Sequence, residues 1–222
     1  MLNLYCEVTL HQLKLLFCDK ERWVSPILFS ITVLLLFSFA QGGYADKNVL
    51  EIFSSQIFLT LLFATQMALY RSVEPEKEDR IFDALRLTPL PSGVWFCSRC
   101  TLAFVLSLSV AVPVVLMGFV LHSNLVWVFL SFDFWALLLL VCTGLSCLGT
   151  LLAMLTFHAD GREILFPLLF FPLSIPVLLA GLAGTKVLGT SDVSSWIGLV
   201  AGFNVIYFTL GVLLFEEFIG PS

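Results

Sequence analysis

Apolar residues occupy this chain in six long runs separated by shorter polar stretches. The runs cover residues 24–41, 50–70, 94–121, 134–157, 164–184 and 196–218. Five are close to the length of about 20 residues with which an α-helix crosses the hydrocarbon core of a bilayer, and the third run is longer, so its helix should tilt or extend beyond the lipid. The pattern therefore predicts an all-α polytopic membrane protein with six transmembrane helices.

Residues 1–23 follow a different pattern from the six runs. Asn3, Glu7, His11 and Lys14 fall on one side at helical spacing, and apolar residues lie between them. A helix with one polar side and one apolar side is typical of a segment that lies in the membrane interface. We therefore expect an interfacial helix on the inner face of the membrane before the first span.

The longest polar interruption, residues 70–92, separates the second and third runs. Pro75 suits the first turn of a helix, and two later prolines would end it. The spacing predicts a cytoplasmic helix over 74–88 with an apolar stripe of Ile81, Phe82 and Leu85. The stripe favours a docking surface, although a solvated connector remains the alternative.

Three prolines, Pro167, Pro172 and Pro176, fall within the fifth run. Each removes a backbone donor and bends a helix. In lipid the freed carbonyl groups need other partners, so we expect this helix to pack inside the bundle. Its bends fit either a hinge used in transport or a static kink.

The positive charges predict the orientation of the chain. Nine of the 11 Lys and Arg residues lie on the side of the first segment and the long polar interruption, and two lie on the other. Because cytoplasmic loops carry the excess of Lys and Arg, both termini are expected in the cytoplasm.

The composition agrees with a membrane protein and narrows its function. Hydrophobic residues make up 59% of the 222 residues and charged residues only 12%, which excludes a soluble enzyme, a disordered chain and a nucleic-acid binder. The sequence contains no GxxxxGK[ST], HExxH or GxSxG motif. We therefore predict neither catalysis nor a bound metal or cofactor, and active transport would draw its energy from another chain.

Two stretches are similar to one protein family. They are residues 78–91, EDRIFDALRLTPLP, and residues 162–181, REILFPLLFFPLSIPVLLAG. Together with the six runs and the chain length, they resemble CcmB, the membrane permease of the haem-exporter ABC transporter in bacterial cytochrome c maturation. The first stretch has Arg80 and Phe82 where the family usually has Gly and Leu.

The resemblance implies one transmembrane permease domain over 1–222 in the bacterial inner membrane. It implies a homodimer, a separate CcmA-like ATPase that binds the ATP, a CcmC-like haem-handling partner and haem as a possible cargo. The helix 74–88 would be the coupling helix on the ATPase, and the three prolines would form the transport hinge. The residues implied in coupling are Glu78, Asp79, Ile81, Phe82, Asp83, Leu85, Arg86 and Pro89.

Two other functions stay open at this point. One is a permease of the same type for another cargo, such as a lipid, a glycan or a drug. The other is a membrane scaffold that holds an assembly complex together without transport. Association with an ATPase, and the effect of changes in the helix 74–88, would distinguish them.

Overall fold

The computed structural model describes residues 5, 7–10, 12–14, 20–40, 49–78, 92–121, 126–156, 159, 161–190 and 192–219. Within these ranges the regular elements are all α-helices, which confirms the predicted fold class for this part of the chain. Helices α1 to α7 span, in order, Lys20–Ala40, Val49–Glu78, Ser92–Leu121, Val126–Leu130, Phe132–Leu155, Arg162–Lys186 and Val193–Ile219.

Five of these helices contain an apolar stretch long enough to cross a membrane. The stretches are Leu50–Ser72, Gly93–Leu121, Phe132–Leu155, Arg162–Lys186 and Val193–Phe215. The first predicted span corresponds to a shorter apolar helix, Val24–Ala40. Five predicted spans are confirmed by length and composition, and the first stays a prediction.

Helix α5 lies at the centre of the bundle. It contacts α2, α3, α6 and α7. Of the 18-residue apolar stretch by which it qualifies as a span, 83% is buried. A Cβ atom at Gly144 would lie 2.5 Å from Oδ1 of Asn204 on α7, and Gly149 faces Leu69 of α2. The two glycines therefore allow α7 and α2 to pack closely against α5.

Long helices that follow one another along the chain run antiparallel, so the bundle has two distinct ends. Leu137 near the start of α5 lies against Gly184 near the end of α6. We call the end that carries Arg99 and Arg162 the arginine end, and the opposite end, with Glu51 and Lys186, the Lys186 end. Helix α2 ends at the arginine end, and α3 and α6 begin there.

The described residues before α1 are helical and pack against the first half of α3. The hydroxyl groups of Tyr5 and Thr101 form a hydrogen bond, and Ser98 donates one to Gln12 at 2.9 Å. Leu13 packs against apolar side chains of α3. These contacts attach the N-terminal segment to the arginine end, and its location in the membrane interface stays a prediction.

Candidate functional site

Helix α2 leads directly into the predicted coupling segment. Its apolar span ends at Ser72, but the helix continues to Glu78, so residues 74–78 are helical and continuous with α2. The rest of the predicted segment lies outside the described residues, and its role in coupling stays a prediction. The coupling residues that lie outside are Asp79, Ile81, Phe82, Asp83, Leu85, Arg86 and Pro89.

Two arginine side chains are buried at the arginine end, near the end of the apolar span of α2. Arg99 is 7% exposed and Arg162 is 6% exposed. Burying a charged group is costly unless other groups compensate for its lost hydration. The neighbours of these two guanidinium groups are therefore the features that define the site.

Arg99 joins α3 to α7 through an aromatic cluster. Its guanidinium carbon lies 5.6 Å from the centroid of the Trp95 ring, one helical turn earlier. The Trp95 ring stacks on Phe215 of α7, with centroids 5.2 Å apart, and Phe96 packs beside Phe215 at 6.0 Å. The cation–π contact stabilises the buried charge and fixes the position of the ring that α7 packs against.

Arg162 joins α6 to α2 in the same way. Its guanidinium carbon lies 5.6 Å from the centroid of the Tyr70 ring on α2. Tyr70 also contacts Phe166 of α6, with centroids 6.0 Å apart, and Phe166 stacks on Phe170 at 5.6 Å. The last membrane turns of α2 are therefore fixed to the first two turns of the proline-containing helix.

A small cavity lies between α2, α3 and α5 beside Arg99. Its volume is about 20 Å³, enough for about one water molecule. The space is enclosed by Leu69, Ser72, Trp95, Arg99, Leu102, Ala103, Gly149, Thr150, Ala153 and Met154. In this conformation the helices at the arginine end are therefore packed together. In the described ranges no cluster of three or more His, Cys, Asp or Glu side chains could hold a metal ion.

The three prolines lie inside the single helix α6, as predicted. Near Pro176, Tyr207 of α7 donates a hydrogen bond to the carbonyl oxygen of Leu173 at 2.6 Å. This contact provides a partner for a carbonyl group in the bent part of the helix. The expectation that α6 packs inside the bundle is wrong for the single chain. Only 33% of its 18-residue apolar stretch is buried, and Pro172 is exposed.

Sequence reasoning treated Arg99 and Arg162 only as charges that set the orientation. The spacing of Trp95 and Arg99 was an available signal, since residues four apart share a helix face. No local signal links Arg162 to Tyr70, because the two residues lie on different helices far apart in the sequence. The contact between α2 and α6 could therefore be found only from the structure.

Comparison with known proteins places the chain in one family. A search of curated proteins found no match. The sequence profile described as "CcmB protein" matches residues 3–218, nearly the whole chain. The chain therefore belongs to the CcmB family, the haem-exporter permeases of the cytochrome c maturation system.

Proposed function

We propose that this chain is the permease subunit of an ABC transporter that delivers haem for cytochrome c maturation, with ATP hydrolysed by a separate CcmA-like subunit. The family match carries the proposal. The arginine end supports it, because α2, which continues past its apolar span, is joined there to the helix that contains the three prolines.

Helix α2 would connect the ATPase to the bundle. Six residues separate the end of its apolar span, Ser72, from its last residue, Glu78, which corresponds to about 9 Å of helix. Force applied to the segment after Glu78 would move α2, and the contacts of Tyr70 with Arg162 and Phe166 would pass that movement to α6. Pro167, Pro172 and Pro176 would then act as the hinge.

The proposal includes a homodimer, a CcmC-like partner and a location in the bacterial inner membrane. Gly198 and Gly202 of α7 support close helix contacts, since nothing lies within 4 Å of a Cβ atom added at either position. Six spans, counting Val24–Ala40 as the first, would place both termini on the same side of the membrane, and the excess of Lys and Arg on that side favours the cytoplasm.

Labelling of single cysteines tests the orientation, in a variant without the six native cysteines. We expect a membrane-impermeant maleimide to label Thr190→Cys from the periplasm and Glu78→Cys only after permeabilisation. Thr190 is a suitable position because it is exposed, whereas neighbouring Gly189 has a φ of 85° that a side chain would strain. Labelling of Glu78→Cys in intact cells would exclude this topology.

Pro172→Ala tests whether the bend of α6 is used in transport. Alanine restores a backbone donor, and proline in a helix interior costs about 3 kcal/mol relative to alanine, so the helix should straighten locally. Because Pro172 is exposed, little packing is lost and insertion should be normal. We expect a lower yield of cytochrome c at an unchanged level of the protein.

The matched control for this variant is Pro113→Ala in α3, which removes a helical proline from another helix. It should leave the yield of cytochrome c close to the wild-type level. An unchanged yield for Pro172→Ala would show that the bend is incidental to transport.

Co-purification tests the proposed function as a whole. The tagged full-length chain, extracted in mild detergent, should retain an ATPase subunit and a CcmC-like protein, and its deletion should abolish cytochrome c maturation. Retention of an ATPase with normal cytochrome c after deletion would instead favour a permease for another cargo. Loss of maturation without any bound ATPase would favour a scaffold.

A further inference from the structure

An apolar groove runs between α6 and α7 on the outer surface of the bundle, toward the Lys186 end. Its volume is about 460 Å³, within the range of about 300–1,000 Å³ typical of small-molecule sites. The lining residues are Pro176, Leu179, Ala180, Leu182, Ala183, Lys186, Trp196, Leu199 and Phe203. All are apolar except Lys186, which lies at one end of the groove.

The groove exists because α6 and α7 approach closely on both sides of it. A Cβ atom at Gly184 would lie 3.2 Å from Cβ of Trp196, and Tyr207 is hydrogen-bonded to the carbonyl group of Leu173. Pro176, one of the three prolines inside α6, lies between these two contacts. From Pro176 to Lys186 the groove follows ten residues, or about 15 Å, half the thickness of the hydrocarbon core.

This groove lies on the least covered side of the chain. Only 17% of the 18-residue apolar stretch of α7 is buried. In a membrane-spanning bundle, an apolar surface of this kind faces lipid chains. A lipid acyl chain could therefore enter the groove directly from the bilayer.

An ion pair lies at the mouth of the groove. Lys186 Nζ lies 3.5 Å from Oε2 of Glu51, and the two side chains are 40% and 49% exposed. Lys186 ends the span of α6, and Glu51 lies in the first turn of α2, so both charges lie where apolar residues give way to polar ones. Trp196 lies beside them, as expected of an aromatic residue at the level of the lipid headgroups.

We propose that the groove binds phosphatidylethanolamine, with one acyl chain along α6 and α7 and the headgroup on the ion pair. The lipid phosphate would lie against Lys186, and the ethanolamine ammonium group would donate hydrogen bonds to Glu51. Phosphatidylglycerol has the phosphate but no cation, so Glu51 would repel it. A headgroup with both charges therefore complements this pair better than an anionic one.

Native mass spectrometry of the full-length chain tests the proposal. The chain is first reconstituted in nanodiscs that contain equal amounts of phosphatidylethanolamine and phosphatidylglycerol with the same acyl chains. The wild-type chain should retain phosphatidylethanolamine preferentially. Lys186→Gln should lower its retention about fivefold, as expected for the loss of one partly exposed charge contact. Glu51→Gln should abolish the preference by increasing the retention of phosphatidylglycerol.

A second pair of variants tests the groove itself. Ala183→Phe fills the groove and should lower the retention of both lipids, whereas Val205→Phe adds the same bulk at an exposed position of α7 outside the groove and should have no effect. Equal retention of the two lipids by the wild-type chain, or an unchanged preference in Glu51→Gln, would overturn the proposal. A lipid-free dimer that Ala183→Phe dissociates would also overturn it and assign the groove to a second copy of the chain.

Discussion

Replacing Phe82 and Leu85 with aspartate is expected to release the ATPase from the permease and abolish cytochrome c maturation. Both residues belong to the apolar stripe predicted for the coupling helix. Burying each of them in a cleft of the ATPase would contribute about 1.5–3 kcal/mol. Loss of both contacts corresponds to a decrease in affinity of about 100-fold or more, before any cost of burying the new carboxylates is counted.

The measurement is a pull-down of the ATPase with the tagged permease from a detergent extract, together with the yield of cytochrome c. The level of the variant in the membrane must match that of the wild type, since the change lies outside the spans. A double variant of the neighbouring charges, Asp83→Asn with Arg86→Gln, is the matched control. It retains the stripe and should weaken binding much less, because charges around an apolar contact contribute more to register and association rate than to affinity. Binding of the ATPase at the wild-type level by the aspartate variant would show that this helix is not the coupling element and would favour the scaffold.

The positions of the spans were predictable because a single physical requirement determines them. A helix that crosses lipid needs a continuous apolar run, and such a run is visible in any sequence. The predicted runs at 50–70 and 164–184 fall within the observed helices Val49–Glu78 and Arg162–Lys186. The first run was the weakest case, because the apolar helix described there, Val24–Ala40, is shorter than the other five.

The arrangement of the spans was harder to predict, as α6 demonstrates. Lipid-facing and buried residues of a membrane helix are both apolar, so hydropathy does not distinguish a central helix from a peripheral one. The prolines of α6 suggested a buried helix, whereas the centre is occupied by α5, with its glycines at 144 and 149. In the structure the close approach of neighbouring helices at Gly144 and Gly149, and not the presence of prolines, marks the central helix.

Small residues four positions apart, as in Gly149 with Ala153, Ala180 with Gly184 and Gly198 with Gly202, are a sequence signal for close helix packing, and the structure separates these pairs into two groups. Gly149 and Gly184 face side chains of neighbouring helices within this chain. Gly198 and Gly202 face open space. The sequence pattern is the same in both groups, so only the fold determines which pairs are used within the chain and which remain available to another one.

Replacing Tyr70 with leucine is expected to uncouple ATP hydrolysis from haem delivery while the ATPase remains bound. Leucine keeps an apolar side chain at this position but removes the ring over which Arg162 lies. A desolvated cation–π contact contributes about 2 kcal/mol, which corresponds to a change of about 30-fold in an equilibrium between two arrangements of the helices. The joint between α2 and α6 would therefore no longer transmit movement, and the yield of cytochrome c should fall.

The decisive measurement is the distance between spin labels on the exposed positions Leu59 of α2 and Leu168 of α6, with and without trapped ATP. In the wild-type complex we expect the distance to change when ATP is bound, and in Tyr70→Leu we expect no change. Tyr70→Phe is the matched control, because phenylalanine retains the ring for Arg162 and should behave like the wild type. A variant that only destabilised the bundle would lower the amount of protein or of bound ATPase, whereas loss of coupling alters the ATP-dependent distance at normal levels of both. If Tyr70→Leu and Tyr70→Phe gave the same distances and the same yield, the contact between Tyr70 and Arg162 would have no part in coupling.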